Sequence, residues 1–316
     1  MKLIIFLIVL FSTKVASPQS TLTFKVIPLG VLGGIDESNL SAYLLAPIAS
    51  QEYICLDAGT INVGIQKAIR KKIFKVPVDT VLKKYVKGYL ISHAHLDHVS
   101  GLIINSPDDI GPKNIYGLQY TLNVLRDNYF TWRNWANFGN DGEKPFLNKY
   151  HYTPLELRKI TPIVNTSMTV EAFALSHGNP YESTAFLINH NGNYILYLGD
   201  VGADEIEKSD KLNVLWRAIT PLIKSKQLKA MMIEVSYRNQ QPDNSLFGHL
   251  TPYLLMKEMN NLSLLTGTEA LKNFPVVVTH IKPTGQHKKE IVKQLRDANK
   301  LKLKLIIPEQ ARLMEF

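Results

Sequence analysis

The chain has 316 residues, of which 45% are hydrophobic and 20% are charged, so disorder, collagen, coiled coil and a bundle of membrane helices are excluded. Its single cysteine, Cys55, excludes an internal disulfide and a CxxC metal site, so any metal would be bound by His, Asp and Glu. The net charge of +9 favours anionic ligands, but without an arginine-rich tract it does not indicate nucleic-acid binding.

The chain begins with a pattern typical of a secretory signal. Met1-Lys2 is followed by an unbroken apolar run, Leu3–Phe11, and then by small and polar residues. The run is shorter than the roughly 20 residues needed to span a bilayer and has the length of a signal-peptide core. We therefore expect residues 1–17 to be removed on export, with the cut between residues 16 and 21. An uncleaved membrane tether is the alternative.

Short β-rich runs and helical patterns alternate along the rest of the chain. The predicted strands are Thr23–Pro28, Ala42–Leu45, Tyr53–Leu56, Gly88–Ile91, Val170–Leu175, Ala185–Asn189, Tyr194–Leu198, Ala230–Val235 and Val276–Thr279. Asn191-Gly192 predicts a hairpin between two of these strands. Ile65, Ile69 and Ile73 are spaced four residues apart, which predicts a helix. The alternation favours an α/β fold with a mixed sheet or a pair of sheets and helices outside.

The stretch Asn105–Pro162 differs from the rest because it is rich in aromatic and turn residues. One interpretation is a helical insertion with a small core of its own. The other is a lid or a pocket wall.

The most informative segment follows the predicted strand Gly88–Ile91. It contains His93, His95, Asp97 and His98, which are four metal-competent side chains within six residues. In an extended backbone His93 and His95 point the same way, and the next two residues lie in the turn that follows. Four candidate ligands this close together can bind two adjacent metal ions. Imidazole and carboxylate ligands without thiolate suit Zn²⁺, with Mn²⁺ and Fe²⁺ as alternatives.

A site for two ions needs more ligands, and we expect them at the ends of other strands. His177, Asp200 and His280 each come at the end of an apolar β-run, where the edge of a sheet opens into a cavity. The pattern therefore predicts one cluster of seven side chains: His93, His95, Asp97, His98, His177, Asp200 and His280.

From His93 to Pro107 the sequence resembles, along its whole length, the signature of the class II cyclic-nucleotide phosphodiesterases of the metallo-β-lactamase superfamily. That signature is HxHLDH, an aliphatic residue, any residue, Gly or Ser, three aliphatic residues, any residue, then Ser and Ala or Pro. HxHxDH alone is common to many hydrolases, whereas the extension to Ser106-Pro107 is much more specific. Further similarity covers nearly all of residues 22–316, and the signal-like start resembles the exported bacterial members.

The resemblance implies a metallo-β-lactamase-like αββα sandwich over residues 22–316, with the aromatic-rich insertion around residues 105–162. It also implies a periplasmic location, without stable membrane association once the signal is removed. Two divalent ions, which we expect to be Zn²⁺, would be bound at one edge. Their implied ligands are His93, His95 and His177 at the first site, Asp97, His98 and His280 at the second, and Asp200 as a bridge.

The resemblance further implies hydrolysis of 3′,5′-cyclic nucleotides to nucleoside 5′-monophosphates, with cAMP as the expected substrate and cGMP as a further candidate. A hydroxide held between the ions would attack phosphorus. Besides Asp97, we expect His249 and Glu234 to be catalytic. His249 would protonate the departing oxygen, and Glu234 would orient His249 or stabilise its charged form. For His249, gripping the phosphate or capping a helix is the alternative. Asp57 is expected to support the site without binding an ion.

Two other interpretations remain open. One is another hydrolase of the same fold, such as a nuclease, an arylsulfatase or a β-lactamase, which the match through Ser106-Pro107 disfavours. The other is a binding protein on a decayed enzyme scaffold, which the seven candidate ligands disfavour. Because no segment resembles an RNA-binding arm, we expect a small-molecule substrate and no nucleic acid. The oligomeric state stays open, with a homodimer among the options.

The signal segment makes a prediction about the mature protein. Because Leu3–Phe11 is a signal-like apolar run, protein recovered from the periplasmic fraction should begin between residues 17 and 22. Mass spectrometry of the intact protein measures this directly. Recovery of the full chain from Met1 in the cytoplasm would contradict export.

Overall fold

The computed structural model describes residues 22–316. The predicted signal segment, residues 1–17, and the predicted cut between residues 16 and 21 lie outside this range, so export stays a prediction. The strands are β1 Phe24–Gly30, β2 Ala42–Pro47, β3 Tyr53–Leu56, β4 Val86–Leu90, β5 Lys113–Gly117, β6 Tyr150–Pro154, β7 Thr161–Pro162, β8 Thr169–Ser176, β9 Glu182–His190, β10 Asn193–Leu198, β11 Leu228–Glu234, β12 Pro275–Thr279, β13 Lys304–Ile306 and β14 Met314–Glu315. The α-helices are α1 Asn62–Arg70, α2 Val78–Thr80, α3 Leu96–Asn105, α4 Gln119–Val124, α5 Asp204–Glu207, α6 Lys211–Lys224, α7 Pro252–Thr266, α8 Thr268–Leu271 and α9 His287–Ala298.

The strands form two seven-stranded sheets. The first has the order β14-β1-β2-β3-β4-β5-β6, and the second has the order β13-β12-β11-β10-β9-β8-β7. In the first sheet β3 to β6 run parallel, and in the second β10 to β13 do so. β8 and β10 are both antiparallel to β9, so β8 points the same way as β10. The carboxyl ends of β8, β10, β11 and β12 therefore meet at one edge.

Three apolar layers hold the sheets and helices together. Between the sheets, Tyr43 and Leu45 of β2 pack with Ile195 and Tyr197 of β10. The alternate residues of each strand face outward and pack under helices: α1, α3 and α4 cover the first sheet, and α6, α7 and α9 cover the second. Both faces of the central strands are thus buried, which is why these strands read as continuous apolar runs. The layers are helix, sheet, sheet and helix, so the predicted αββα sandwich is confirmed. Among residues 22–316, no helix is long and apolar enough to cross a membrane.

The hairpin predicted at Asn191-Gly192 is present between β9 and β10. His190 pairs with Asn193, so the turn consists of two residues, and both have positive φ angles, 50° at Asn191 and 76° at Gly192. Two left-handed residues are what a type I′ hairpin turn requires, and Asn-Gly is the pair that adopts it most easily.

The first predicted helix is shorter than its isoleucine spacing indicated. Helix α1 ends at Arg70, because Lys72 adopts a left-handed conformation with φ of 61° and the backbone N–H of Ile73 donates to the carbonyl of Ala68. Ile73 therefore lies beyond the helix, where it still packs against the layer under the first sheet. The buried face of α1 consists of Gly64, Ile65 and Ala68.

Most of the aromatic-rich stretch, residues 105–162, is built into the first sheet, and β7 at its end joins the second sheet. It contributes β5 and β6, and Phe130, Phe138 and Tyr150 belong to the same buried layer as the residues of α1 and α3. The prediction of a separate small core is therefore wrong, because these rings complete the main one. Tyr129 reaches the site described below, where its hydroxyl donates to the carbonyl of Ala94 at 3.0 Å.

Candidate metal centre and catalytic residues

The carboxyl ends of strands from both sheets carry the candidate site. His93 and His95 lie in the loop after β4, and Asp97 and His98 form the first turn of α3, where the positive end of the helix dipole favours a carboxylate. His177 follows β8 directly. Asp200 follows β10 after one glycine, Glu234 ends β11 and His280 follows β12 directly. The structure thus brings together all seven predicted ligands, together with His249 and Glu234.

Asp200 lies at the centre of this cluster. It is 2% exposed, and its Oδ2 atom lies within 4 Å of five imidazole nitrogens. The shortest of these distances are 3.2 Å to Nε2 of His280 and 3.3 Å to Nε2 of His98. One carboxylate oxygen therefore faces residues from both sheets, which is the position that a bridging ligand requires.

The remaining side chains divide into two groups on either side of Asp200. In the first, Nδ1 of His95 lies 3.1 Å from Nε2 of His93 and 3.3 Å from Nε2 of His177. In the second, Nε2 of His280 lies 3.0 Å from Nε2 of His98 and 3.1 Å from Oδ2 of Asp97. Within each group the ligand atoms all lie within 4.8 Å of one another. These groups are the two ligand sets predicted from the family resemblance.

Hydrogen bonds on the outer side of the rings fix which nitrogen faces the cluster. Nδ1 of His98 lies 2.8 Å from Asp57, Nδ1 of His177 lies 2.9 Å from the carbonyl of Gly248, and Nδ1 of His280 lies 2.9 Å from Oγ of Ser236. A carbonyl or carboxylate oxygen accepts, so Nδ1 of His98 and Nδ1 of His177 each carry a proton, and Nε2 is the nitrogen that faces the cluster in all three rings. Such outer partners are typical of histidines that bind metals.

Asp57 supports the cluster from behind. It is fully buried after β3 with φ of 50°, and its carboxylate accepts from the backbone N–H of Ser92 at 2.7 Å, from the hydroxyl of Tyr197 at 2.5 Å and from Nδ1 of His98. A non-glycine residue in this backbone region is held there by its surroundings. These contacts agree with the supporting role predicted for Asp57, since its bond to His98 is to Nδ1 on the outer side of that ring and not to Nε2, which faces Asp200.

Burial sets the charge of several imidazoles. It lowers the pKa of His93 well below its ordinary value, that of His95 to about 4, and that of His177 below its ordinary value. Near pH 7 these rings are neutral, because a buried cation loses its hydration. A neutral imidazole has one lone pair available for a metal.

The carboxylates at the centre keep their charge despite burial. Burial opposes ionisation of Asp200, but His280 and His98 outweigh it and hold the pKa of Asp200 well below its ordinary value. The pKa of Asp97 is also held well below its ordinary value, by His98 and then His280 against the effect of burial. Burial likewise disfavours a charged His98, yet Asp200 and the other nearby carboxylates raise its pKa well above its ordinary value. The cluster therefore favours positive charge at its centre.

This set of donors fits divalent metal ions. Nε2 of His98 and Nε2 of His280 face each other at 3.0 Å, and both face the carboxylate of Asp200. Two buried ring nitrogens that face each other beside a buried carboxylate need positive charge between them, which a proton or a metal ion supplies. Nitrogen and oxygen donors of this kind suit Zn²⁺ and other borderline divalent metals.

Beside the ligand groups, His249 and Glu234 form a hydrogen-bonded pair. Nδ1 of His249 lies 2.8 Å from Oε1 of Glu234, and the hydroxyl of Ser236 donates to the other carboxylate oxygen at 2.8 Å. Burial, together with Asp200, raises the pKa of Glu234 to about 7, and burial lowers the pKa of His249 to about 4. At neutral pH a proton shared by this pair therefore resides on the carboxyl group of Glu234 in preference to the imidazole of His249.

Two glycines after β1 shape the second ligand group. A Cβ atom on Gly33 would lie 2.3 Å from Cε1 of His280, so only glycine leaves room for that ring. The backbone N–H of Gly34 donates to Oδ2 of Asp97 at 2.9 Å. His280 itself has φ of 57°, a strained conformation that its neighbours enforce.

Sequence reasoning did not identify Ser236 as part of the site. Its hydroxyl contacts Glu234, His249 and Nδ1 of His280, so it joins the candidate acid to a candidate ligand. A signal was present, because Ser236 lies two residues after Glu234 and would face the same way at that strand end. Tyr197 was also missed, since nothing in the sequence relates it to Asp57, which is 140 residues away.

Comparison with known proteins places this arrangement in context. Residues 22–311 match the family model for class II cAMP phosphodiesterases. A 3′,5′-cyclic-nucleotide phosphodiesterase of Aliivibrio fischeri is 42% identical over 308 residues, which cover 93% of this chain and 93% of that protein.

Solved structures show the same fold at lower sequence identity. Unliganded yeast PDE1 superposes with a TM-score of 0.81 at 22% identity, covering 94% of this chain and all of that one. The metallo-β-lactamase fold protein YhfI from Bacillus subtilis superposes with a TM-score of 0.61 at 14% identity, covering 93% of this chain and all of that one. The sandwich is therefore a metallo-β-lactamase fold, as the sequence predicted.

Proposed function

This chain belongs to the class II cAMP phosphodiesterases, and from that premise we propose its function. We propose that the chain hydrolyses 3′,5′-cyclic nucleotides to nucleoside 5′-monophosphates at the cluster around Asp200. The observation that carries the proposal is the convergence of five imidazole nitrogens on one buried carboxylate oxygen. A cyclic nucleotide carries one phosphodiester, and a phosphoryl group needs concentrated positive charge where it reacts.

We assign two divalent ions, most simply Zn²⁺, to the two ligand groups. His93, His95 and His177 would hold one, Asp97, His98 and His280 would hold the other, and Asp200 would contact both. When bound, such ions supply charge that stabilises the phosphoryl oxygens and they activate water for attack on phosphorus. Asp57, Gly248 and Ser236 hold three of the rings in orientation from behind.

The pair of Glu234 and His249 is proposed to deliver the proton that the departing 3′-oxygen needs. If the carboxyl of Glu234 donates to Nδ1 of His249, the proton of the imidazole resides on Nε2, the nitrogen on the other side of the ring. Transfer of that proton to the 3′-oxygen would then be balanced by movement of the carboxyl proton to Nδ1. Ser236 keeps the carboxyl group in place by donating to its second oxygen.

The product of the reaction tests the proposed function. Attack on phosphorus with departure of the 3′-oxygen leaves the 5′-ester intact, so the purified protein supplied with Zn²⁺ should convert cAMP to 5′-AMP. Liquid chromatography against both isomers measures this. A main product of 3′-AMP would reverse the proposed orientation, and absence of any turnover of cAMP and cGMP would reject the function.

Substitution of the central carboxylate tests the site. Because Asp200 contacts both groups, Asp200→Ala should lose bound metal and nearly all turnover, as measured by elemental analysis and cAMP hydrolysis. Asp57→Ala, which removes only an outer partner, should weaken metal binding by roughly 10–100-fold. The exposed Asp108 is a matched control, and Asp108→Ala should behave as the wild type. An Asp200→Ala protein with two bound ions and normal turnover would show that the ligands are misassigned.

The role of His249 is tested by changing the leaving group. An alkoxide needs a proton as it departs, whereas p-nitrophenolate hardly does. His249→Ala should therefore lose roughly 10²–10⁴-fold in turnover of cAMP and much less with a p-nitrophenyl phosphodiester, with metal content unchanged. His151→Ala, at an exposed histidine of β6, should affect neither substrate. Equal losses on both substrates would reject proton transfer and support a role in gripping the phosphate.

A further inference from the structure

The rim of the cluster carries exposed apolar side chains. Ile35 is 75% exposed, Leu96 63%, Tyr181 52% and Phe247 69%. Each lies close in sequence to a residue of the site: Ile35 follows Gly34, Leu96 lies between two candidate ligands, Tyr181 is four residues after His177, and Phe247 precedes Gly248. Large apolar groups left in water around a polar centre are typical of a surface that covers a ligand.

Tyr181 is the rim residue with a defined contact to the cluster. The centroid of its ring lies 4.7 Å from that of His95 and 6.5 Å from that of His177. Both histidines belong to the first ligand group, so this aromatic ring stands directly beside it. Because about half of the side chain is exposed, the ring has surface available for another flat group.

The loop that carries Tyr181 is anchored to neighbouring segments at Gly178. The backbone N–H of Gly178 donates to Oε2 of Glu207 at 2.9 Å, and the N–H of Tyr181 donates to the carbonyl of Gly178 at 2.9 Å. The loop also abuts the segment of Phe247, since a Cβ on Gly178 would lie 3.3 Å from the Phe247 carbonyl carbon. A ring carried by a loop that is held in this way has less conformational freedom to lose when a ligand stacks on it.

We infer that Tyr181 stacks on the nucleobase of the cyclic nucleotide and that this contact contributes to substrate binding. The inference rests on the proposed function, which places the phosphodiester at the cluster. In a cyclic nucleotide only the ribose separates phosphorus from the base, so the base must lie near the rim. Aromatic side chains stack on bases of every kind, which suits a site that accepts more than one cyclic nucleotide.

The test compares substrates with and without a base. Base stacking contributes about 1–3 kcal/mol, which at 1.4 kcal/mol per tenfold corresponds to a rise in KM of roughly 5–150-fold. Tyr181→Ala should show this rise with cAMP and retain most of kcat. With the ribose 3′,5′-cyclic phosphate that lacks a base, it should match the wild type. Tyr181→Phe and Tyr181→Trp should keep the low KM for cAMP, because the ring and not the hydroxyl makes the contact.

Controls separate stacking from damage to the site. Tyr120→Ala, at an exposed tyrosine of α4, should leave both substrates unaffected. If Tyr181→Ala loses metal because His95 moves, Tyr181→Leu is measured instead, because leucine retains bulk beside His95 but has no aromatic face. A raised KM for cAMP in a Tyr181→Leu protein that keeps its metal would support stacking. An unchanged KM for cAMP in Tyr181→Ala, or equal losses with the baseless substrate in a variant that keeps its metal, would overturn the inference. Failure of the wild type to hydrolyse cAMP would instead reject the proposed function itself.

Discussion

The burial of the Asp200 carboxylate is the constraint on which the rest of the site depends. A carboxylate with 2% exposure is stable only when groups around it compensate the lost hydration. Here imidazoles that follow β4, β8 and β12, together with His249 from the loop before α7, supply that compensation. These strands and β10, which carries Asp200, must therefore end at the same edge. The parallel course of β10, β11 and β12, with β8 in the same direction, meets this requirement. The strand directions of the second sheet thus allow the groups that stabilise the Asp200 carboxylate to meet around it.

A second set of bonds turns this cluster of histidines into an ordered site. Without outer partners each ring could present either nitrogen. Asp57, the carbonyl of Gly248 and the hydroxyl of Ser236 remove that choice for three of them. Ser236 does more than orient His280, since it also contacts the pair of Glu234 and His249. The residues proposed to bind metal and those proposed to move a proton therefore share one hydrogen-bonded network, in which Ser236 is the common member.

Much of this arrangement could be predicted because its signals are local in the sequence. The run from His93 to His98 is dense, and His177, Asp200 and His280 each mark the end of an apolar strand. The features that could not be predicted depend on contacts between distant segments. Tyr197 supports Asp57 across 140 residues, and the rings of Phe130 and Phe138 fill a layer whose other members come from α1 and α3. Aromatic composition indicates that a segment is buried, but it does not indicate which core it joins. Similarly, the end of α1 is decided by a left-handed residue, Lys72, that hydrophobic spacing does not reveal.

The division of the ligands between the two sheets has a thermodynamic consequence. His93, His95, Asp97 and His98 follow strand β4 of the first sheet, whereas His177, Asp200 and His280 follow strands of the second. An ion held by both sets is a cross-link between the halves of the sandwich, and a ligand that binds only the folded state stabilises it by mass action. The resistance of the whole chain to unfolding and to proteolysis would then rise with the supply of free metal in its surroundings. Metal availability would control the lifetime of the enzyme as well as its activity.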